Sequence, residues 1–216
     1  MSQIEKPTKL EKVSGSTVTA SAMALIGAIS GNPVAALLPI LTSSIASGRH
    51  KKRVEDALNS MDAVLQAHPE ELRCLTDAQY KLLNEAIVAV LQTTDEEKIN
   101  YLRHAVENSL TLDDLEPHDA VMLSRIIRDI SAQEAEFLVD NFKYEQISLS
   151  DREDDREDNV RQVRRDTDEE KTVIGLFTLG LLSTGDPTYS DFHRLKFTPV
   201  VAKLIAVLQS PSKFKV

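Results

Sequence analysis

Tryptophan is absent from this 216-residue sequence, and aromatic residues of all kinds make up only 5% of it. With few aromatic strand formers and only seven glycines, an all-β fold is disfavoured and a mainly α fold is expected. None of those glycines builds a G-x-S-x-G elbow or a Gly-rich phosphate loop. Cysteine occurs once, at Cys74. That excludes an intrachain disulfide and fits a reducing compartment. Its place between Leu72 and Leu75 reads as an ordinary buried thiol. The five histidines, His50, His68, His104, His118 and His193, stand at no metal-ligand spacing from one another or from Cys74. No catalytic residue, cofactor or metal site is expected, and the chain reads as non-enzymatic.

Positive charge is also in short supply. Twenty-five Lys and Arg face 34 Asp and Glu, for a formal net charge of −9. Because affinity for nucleic acid comes largely from cations that neutralise phosphates, nucleic acid is not an expected partner of the surface as a whole.

The largest deficit is local. Although 27% of the chain is charged, Val13 to Gly48 is a run of 36 residues with no charge at all. Ser16 or Thr17 can cap a first helix carrying Met23, Leu25, Ile26 and Ile29, and Gly31-Asn32-Pro33 then breaks it. A second helix would carry Val34, Leu37, Leu38, Ile40, Leu41 and Ile45, kinked at Pro39 and closed by Gly48. Each arm, of about 14 residues, is about 21 Å long against a hydrocarbon core of about 30 Å. An apolar helical hairpin is expected, its contact surface hidden in lipid, in another protomer or against the rest of the chain. Glu5 and Glu11 dilute the lysines before it, so no cleaved signal is expected. Immediately after it come Arg49, Lys51, Lys52 and Arg53. This cluster reads as the flank that meets an anionic surface, or else as cations offsetting a helix C-terminal dipole.

From Val54 onward apolar residues recur at helical spacing. One helix is expected to end before Pro69, a second to be capped around Thr76-Asp77, and a third to open with a capping box at Thr94 and Glu97. Glu116-Pro117 starts a fourth, and Ser131 with Glu134 forms a capping box for a fifth. Tyr144 to Leu149 alternates as a short strand. Asp151 to Lys171 mixes both charges densely and reads as a solvated loop or exposed helix. A helix is expected from Thr172 with Gly180 as its stop, Leu181 and Leu182 then beginning an extended segment, followed by a strand through Phe192 to Thr198 and a last helix capped by Thr198 with Pro199 at its first position. The tail from Pro211 to Val216 is basic.

The segments Leu179-Gly180-Leu181-Leu182 and Leu195-Lys196-Phe197-Thr198-Pro199 carry a resemblance to the winged-helix pattern. Residues 94 to 209 are similar to the C-terminal half of bacterial proteins of the abortive-infection alpha type. That resemblance implies a link with phage defence and a helical body whose winged end serves protein contacts, and it brings no catalytic residues. The expected organisation is a tail over 1–12, an apolar helical hairpin with basic flank over 13–53, a helical body over 54–143, a strand and charged linker over 144–171, and a winged-helix-like unit with a small β-hairpin over 172–216. Two function classes follow. One is a membrane-associated or oligomerising protein, located in the cytoplasm or at the inner membrane surface, with a protein partner or its own copies as partner. The other is a soluble oligomeric interaction module or winged-helix regulator.

Overall fold

The computed structural model describes residues 48–112, 115–150, 158–184 and 194–209. Among these residues the protein is mainly helical, with eight helices and a small four-stranded mixed sheet in its C-terminal part. The expected hairpin of 13–48 lies outside the described residues except at Gly48, which belongs to a helix.

Helix α1 runs Gly48–Ala67 and buries Val54, Ala57, Leu58, Met61 and Leu65 along one face. Gly48 therefore does not close a helix. Arg49, Lys51, Lys52 and Arg53 are residues within α1, and the helix expected before them lies outside the described residues. Pro69 starts a five-residue helix, α2 (Pro69–Arg73), that the periodicity did not reveal.

Helix α3 (Asp77–Gln92) buries Leu82, Leu83, Ala86, Ile87, Ala89 and Val90, a set too wide for one face. It is accordingly packed on several sides, against α5 (Pro117–Asp129), α4 (Glu96–Ser109) and α1. Its start is a full capping box. Gln79 N–H donates to Thr76 Oγ1, and Thr76 N–H donates to Gln79 Oε1 at 2.9 Å. The cap of α4 is one residue later than expected. Asp95, not Thr94, accepts from the amides of Glu97 and Lys98, because a carboxylate gains more than a hydroxyl from the positive end of a helix. Helices α5 and α6 (Ala132–Asn141) begin as the sequence indicates, at Pro117 and at the Ser131–Glu134 capping box.

The sheet comprises β1 (Gln146–Leu149), β2 (Val160–Val163), β3 (Leu182–Thr184) and β4 (Arg194–Phe197), in the order β2-β1-β4-β3. Strand β2 runs parallel to β1; the β1–β4 and β4–β3 pairs are antiparallel. Ile147 pairs with Leu195, and both are buried with Val163 and Leu182. Part of the segment expected as a solvated linker is thus a strand: Val163 puts a β-branched apolar side chain into the core in the middle of a charged run. Helix α7 (Asp168–Thr178) starts earlier than expected, at the cap of Thr167, and stops on Gly180. Gly180 has φ +73, Gly180 N–H donates to Phe177 O, and Leu181 N–H donates to Leu176 O. These are the paired bonds of a Schellman motif, which requires the left-handed conformation that glycine adopts at least cost.

Helix α8 (Pro199–Leu208) closes the fold, burying Val200, Val201, Leu204, Ile205, Val207 and Leu208 against α4, α5 and α6. Thr198 holds the expected position before it, but its side chain does not cap the helix. The hydroxyl donates instead to Gly180 O and Leu181 O, at 2.9 and 3.2 Å, tying the start of α8 to the end of α7. At the other end, buried Asn108 of α4 donates through Nδ2 to Val207 O and Gln209 O, at 2.9 and 2.7 Å. These are terminal carbonyls with no partner inside their own helix.

Two stability predictions follow from these contacts. Asn108→Ala leaves the terminal carbonyls without their buried donor and is expected to cost about 1–3 kcal/mol. Asn108→Asp, which supplies no donor, is expected to cost more. The midpoint of urea unfolding measures both, and an unchanged midpoint refutes the assignment. Gly175 of α7 is the second case, since a Cβ there would lie 1.9 Å from Glu134 Oε1. Alanine in a helix interior gains about 1 kcal/mol over glycine, but here it would displace a carboxylate that caps α6. Gly175→Ala is therefore expected to stabilise the Glu134→Ala background and to lose that gain in the parent; equal effects in both backgrounds refute the contact.

Candidate functional site

The ten apolar residues singled out for contact, Met23, Leu25, Ile26, Ile29, Val34, Leu37, Leu38, Ile40, Leu41 and Ile45, lie outside the described residues. Arg49 and Lys51 belong to α1, with no side-chain description. Lys52 is exposed. Arg53 is turned to the protein: its Nη1 donates to Thr94 O at 3.3 Å, and Nη2 lies 3.7 Å from Glu96 Oε2. Arg53 thus has partners in the folded body while remaining partly exposed. Arg53 helps close a shallow cleft of about 170 Å³ between α1 and α4, where Asp56, Ser60, Asn100 and Arg103 also stand.

A larger groove, of about 550 Å³, lies between α6, the residues that follow it, β2 and α7. One wall is the outward face of α6, with Gln133, Glu136 and Asp140 at helical spacing; the other is the first turn of α7, with Asp168, Glu169 and Thr172. Phe137, Asn141 and Tyr144 line it as well. Two cations reach it, and both are engaged. Arg161 of β2 pairs with Glu169, and Lys143 stands over the Tyr144 ring, 5.3 Å from its centre. Asp168 pairs with Lys171 at 2.7 Å, which holds its carboxyl below the ordinary range. No cation among the described residues pairs with Glu136 or Asp140.

That negative potential registers on α4. The phenol of half-buried Tyr101 is pushed above its ordinary pKa by burial first and then by Glu136, Asp140 and Glu97. One turn earlier on α4, Lys98 donates to Arg128 O at 2.7 Å, at the end of α5. Burial lowers its pKa against the opposing pull of Asp129, Asp95 and Glu134. The same lysine thus ties α4 to the junction of α5 and α6.

Nothing in the groove matches a catalytic constellation. No group of three or more His, Cys, Asp or Glu among the described residues could hold a metal ion, and none of the described helices is long and apolar enough to cross a membrane. Cys74, expected as buried, is exposed; it sits just after α2, where the short helix turns it outward. Sequence reasoning missed the groove altogether. Its walls come from residues 133–144 and 161–172, and the second set lies in a stretch whose mixed charges carried no apolar period.

Compared with protein-family models, with curated proteins and with solved structures, the chain matches none.

The raised pKa of Tyr101 has a signed consequence for stability. A group whose folded pKa is raised contributes stability that is complete below its unfolded value, about 10, and that is lost as pH rises through the folded value. Denaturation measured against pH should therefore show an alkaline loss beginning near pH 10 that is reduced in Tyr101→Phe. Identical alkaline profiles for the two proteins contradict the placement.

Proposed function

We propose that the protein is a non-enzymatic bacterial contact protein whose uncharged stretch, residues 13–48, buries itself outside the folded body, in a bilayer or against a second copy. One observation carries this reading. The body of α1 to α8 and the sheet closes its own core, and among the described residues Phe142 and Ile174, at 39% and 52% exposure, are the large hydrophobic side chains left exposed. Single exposed residues of this kind are ordinary. The described residues present no broad apolar face to the 36-residue stretch, and in this proposal the cost of keeping that stretch in water is offset elsewhere. Exposed Lys52, beside Arg49 and Lys51 in sequence, favours an anionic bilayer over a neutral one.

The antiparallel run β1-β4-β3, of which β3 and β4 follow helix α7 in the chain, supports a winged-helix-like reading of the C-terminal part; parallel β2 at its edge departs from that pattern. The first turn of α7 carries Asp168, Glu169 and Glu170. Those carboxylates would repel a phosphate backbone, which supports protein contacts over nucleic acid. A defence role, which the resemblance of the segments Leu179–Leu182 and Leu195–Pro199 to the abortive-infection alpha type implies, is part of this proposal.

Vesicle flotation with the full chain and with a deletion of residues 13–47 tests the proposal. The full chain is expected to float with anionic vesicles, more weakly with neutral ones, and the deletion to stay at the bottom. If the full chain does not float, light scattering should show an oligomer that the deletion converts to a monomer. A full chain that neither floats nor associates overturns the reading.

A further inference from the structure

The cleft between α1 and α4 is built from two matched runs. Positions 53, 56, 57 and 60 of α1 and positions 96, 99, 100 and 103 of α4 line it, each run stepping along one side of its helix. Arg53 meets Thr94 O and Glu96 at one end, so the two runs lie side by side in the same direction, and Asp56 and Ser60 stand across from Asn100 and Arg103. Three polar groups there have no protein partner among the described residues. The guanidinium of half-buried Arg103 has five N–H donors and no acceptor, the hydroxyl of half-buried Ser60 is unbonded, and the carboxylate of exposed Asp56 has no cation. Beneath them the floor is apolar, since Ala57 and Ile99 are each 7% exposed.

We propose that this cleft binds a free small α-amino acid, its carboxylate on Arg103 and its ammonium on Asp56. Partial burial has taken water from the Arg103 guanidinium without supplying an acceptor, a cost that a carboxylate offsets through paired N–H donors. The Ser60 hydroxyl adds a donor on the same level. In the register set by Arg53 and Glu96, Asp56 lies about four residues before Arg103, about 6 Å along the axes. Two charge-assisted bonds of about 2.7–2.9 Å to one small zwitterion occupy that interval. Other ligand classes fit the lining less well. A phosphate would meet the carboxylates of Asp56 and Glu96, and a simple cation would meet Arg53 and Arg103. No aromatic ring lines the cleft to hold a flat ligand. Its volume of about 170 Å³ is that of about six waters, below the roughly 300–1,000 Å³ of sites for drug-sized molecules. A ligand carrying both charges on a few atoms satisfies the size and both walls.

Titration of the full-length, isotope-labelled protein with glycine, L-alanine and L-serine, followed through amide chemical shifts, tests this. At least one of the three is expected to move the signals of residues 56–60 and 99–103 saturably while those of the sheet stay in place. Acetate and methylamine, each carrying one of the two charges, and inorganic phosphate are expected to bind at least about tenfold more weakly. Arg103→Gln and Asp56→Asn should each weaken binding of the amino acid by about tenfold or more, with unmoved sheet signals showing that each variant is folded. Arg103→Lys, which keeps the charge without the planar fork, should lose most of the affinity as well. The proposal is overturned if none of the three amino acids saturates the shifts, or if acetate or phosphate binds as tightly as the amino acid. It is equally overturned if affinity is unchanged in Asp56→Asn or in Arg103→Gln.

Discussion

The fold depends on one buried amide. Asn108 gives both of its Nδ2 hydrogens to the last carbonyls of α8, joining residues about a hundred positions apart. Helix α8 is the most apolar of the eight, and its end cannot lie in the core unless those carbonyls find donors. Asn108 supplies them from the last turn of α4. At the opposite end of α8, Thr198 spends its hydroxyl on Gly180 and Leu181 rather than on its own helix. Lys203 pairs with Asp119 of α5 between these two points. The last helix is therefore the seam between the helical body and the sheet, and polar groups set its position while apolar burial supplies most of the driving force.

A second set of polar contacts positions α6. Lys98 reaches the end of α5, and Glu134 closes the capping box of α6 while lying against Gly175 of α7. The missing Cβ of that glycine leaves room for the Glu134 carboxylate. With the inner face of α6 committed to Ala135, Phe137 and Leu138, its outer face is free to carry Glu136 and Asp140 into the groove. The potential of these carboxylates is felt through to Tyr101 on the neighbouring helix. Charge at the groove and packing behind it are thus consequences of the same helix placement.

These features separate two contact chemistries. The uncharged stretch at 13–48 is apolar and small-residue-rich; the groove is acidic and polar. In the proposed function the first anchors the molecule. His68 lies beside Glu71 at 3.3 Å and His104 beside Glu107 at 3.9 Å, each within its own helical neighbourhood.

What the sequence determined by itself was local. Pro117, Pro199, the Ser131–Glu134 pair and Gly180 marked helix starts and a stop because caps, proline and left-handed glycine act within about one turn of chain. The apolar period of α1, α3, α5 and α8 was legible for the same reason. Tertiary structure decided the rest. Strand β2 exists because β1 offers an edge and the core accepts Val163, although its neighbours in sequence are charged. Thr198 turned from a cap into a crosslink because two carbonyls stood within reach, and Cys74 faced outward because α2 intervened. The acidic groove was invisible because its walls are some thirty residues apart in the chain, and a charge acquires an address only when helix packing decides which face of α6 is buried.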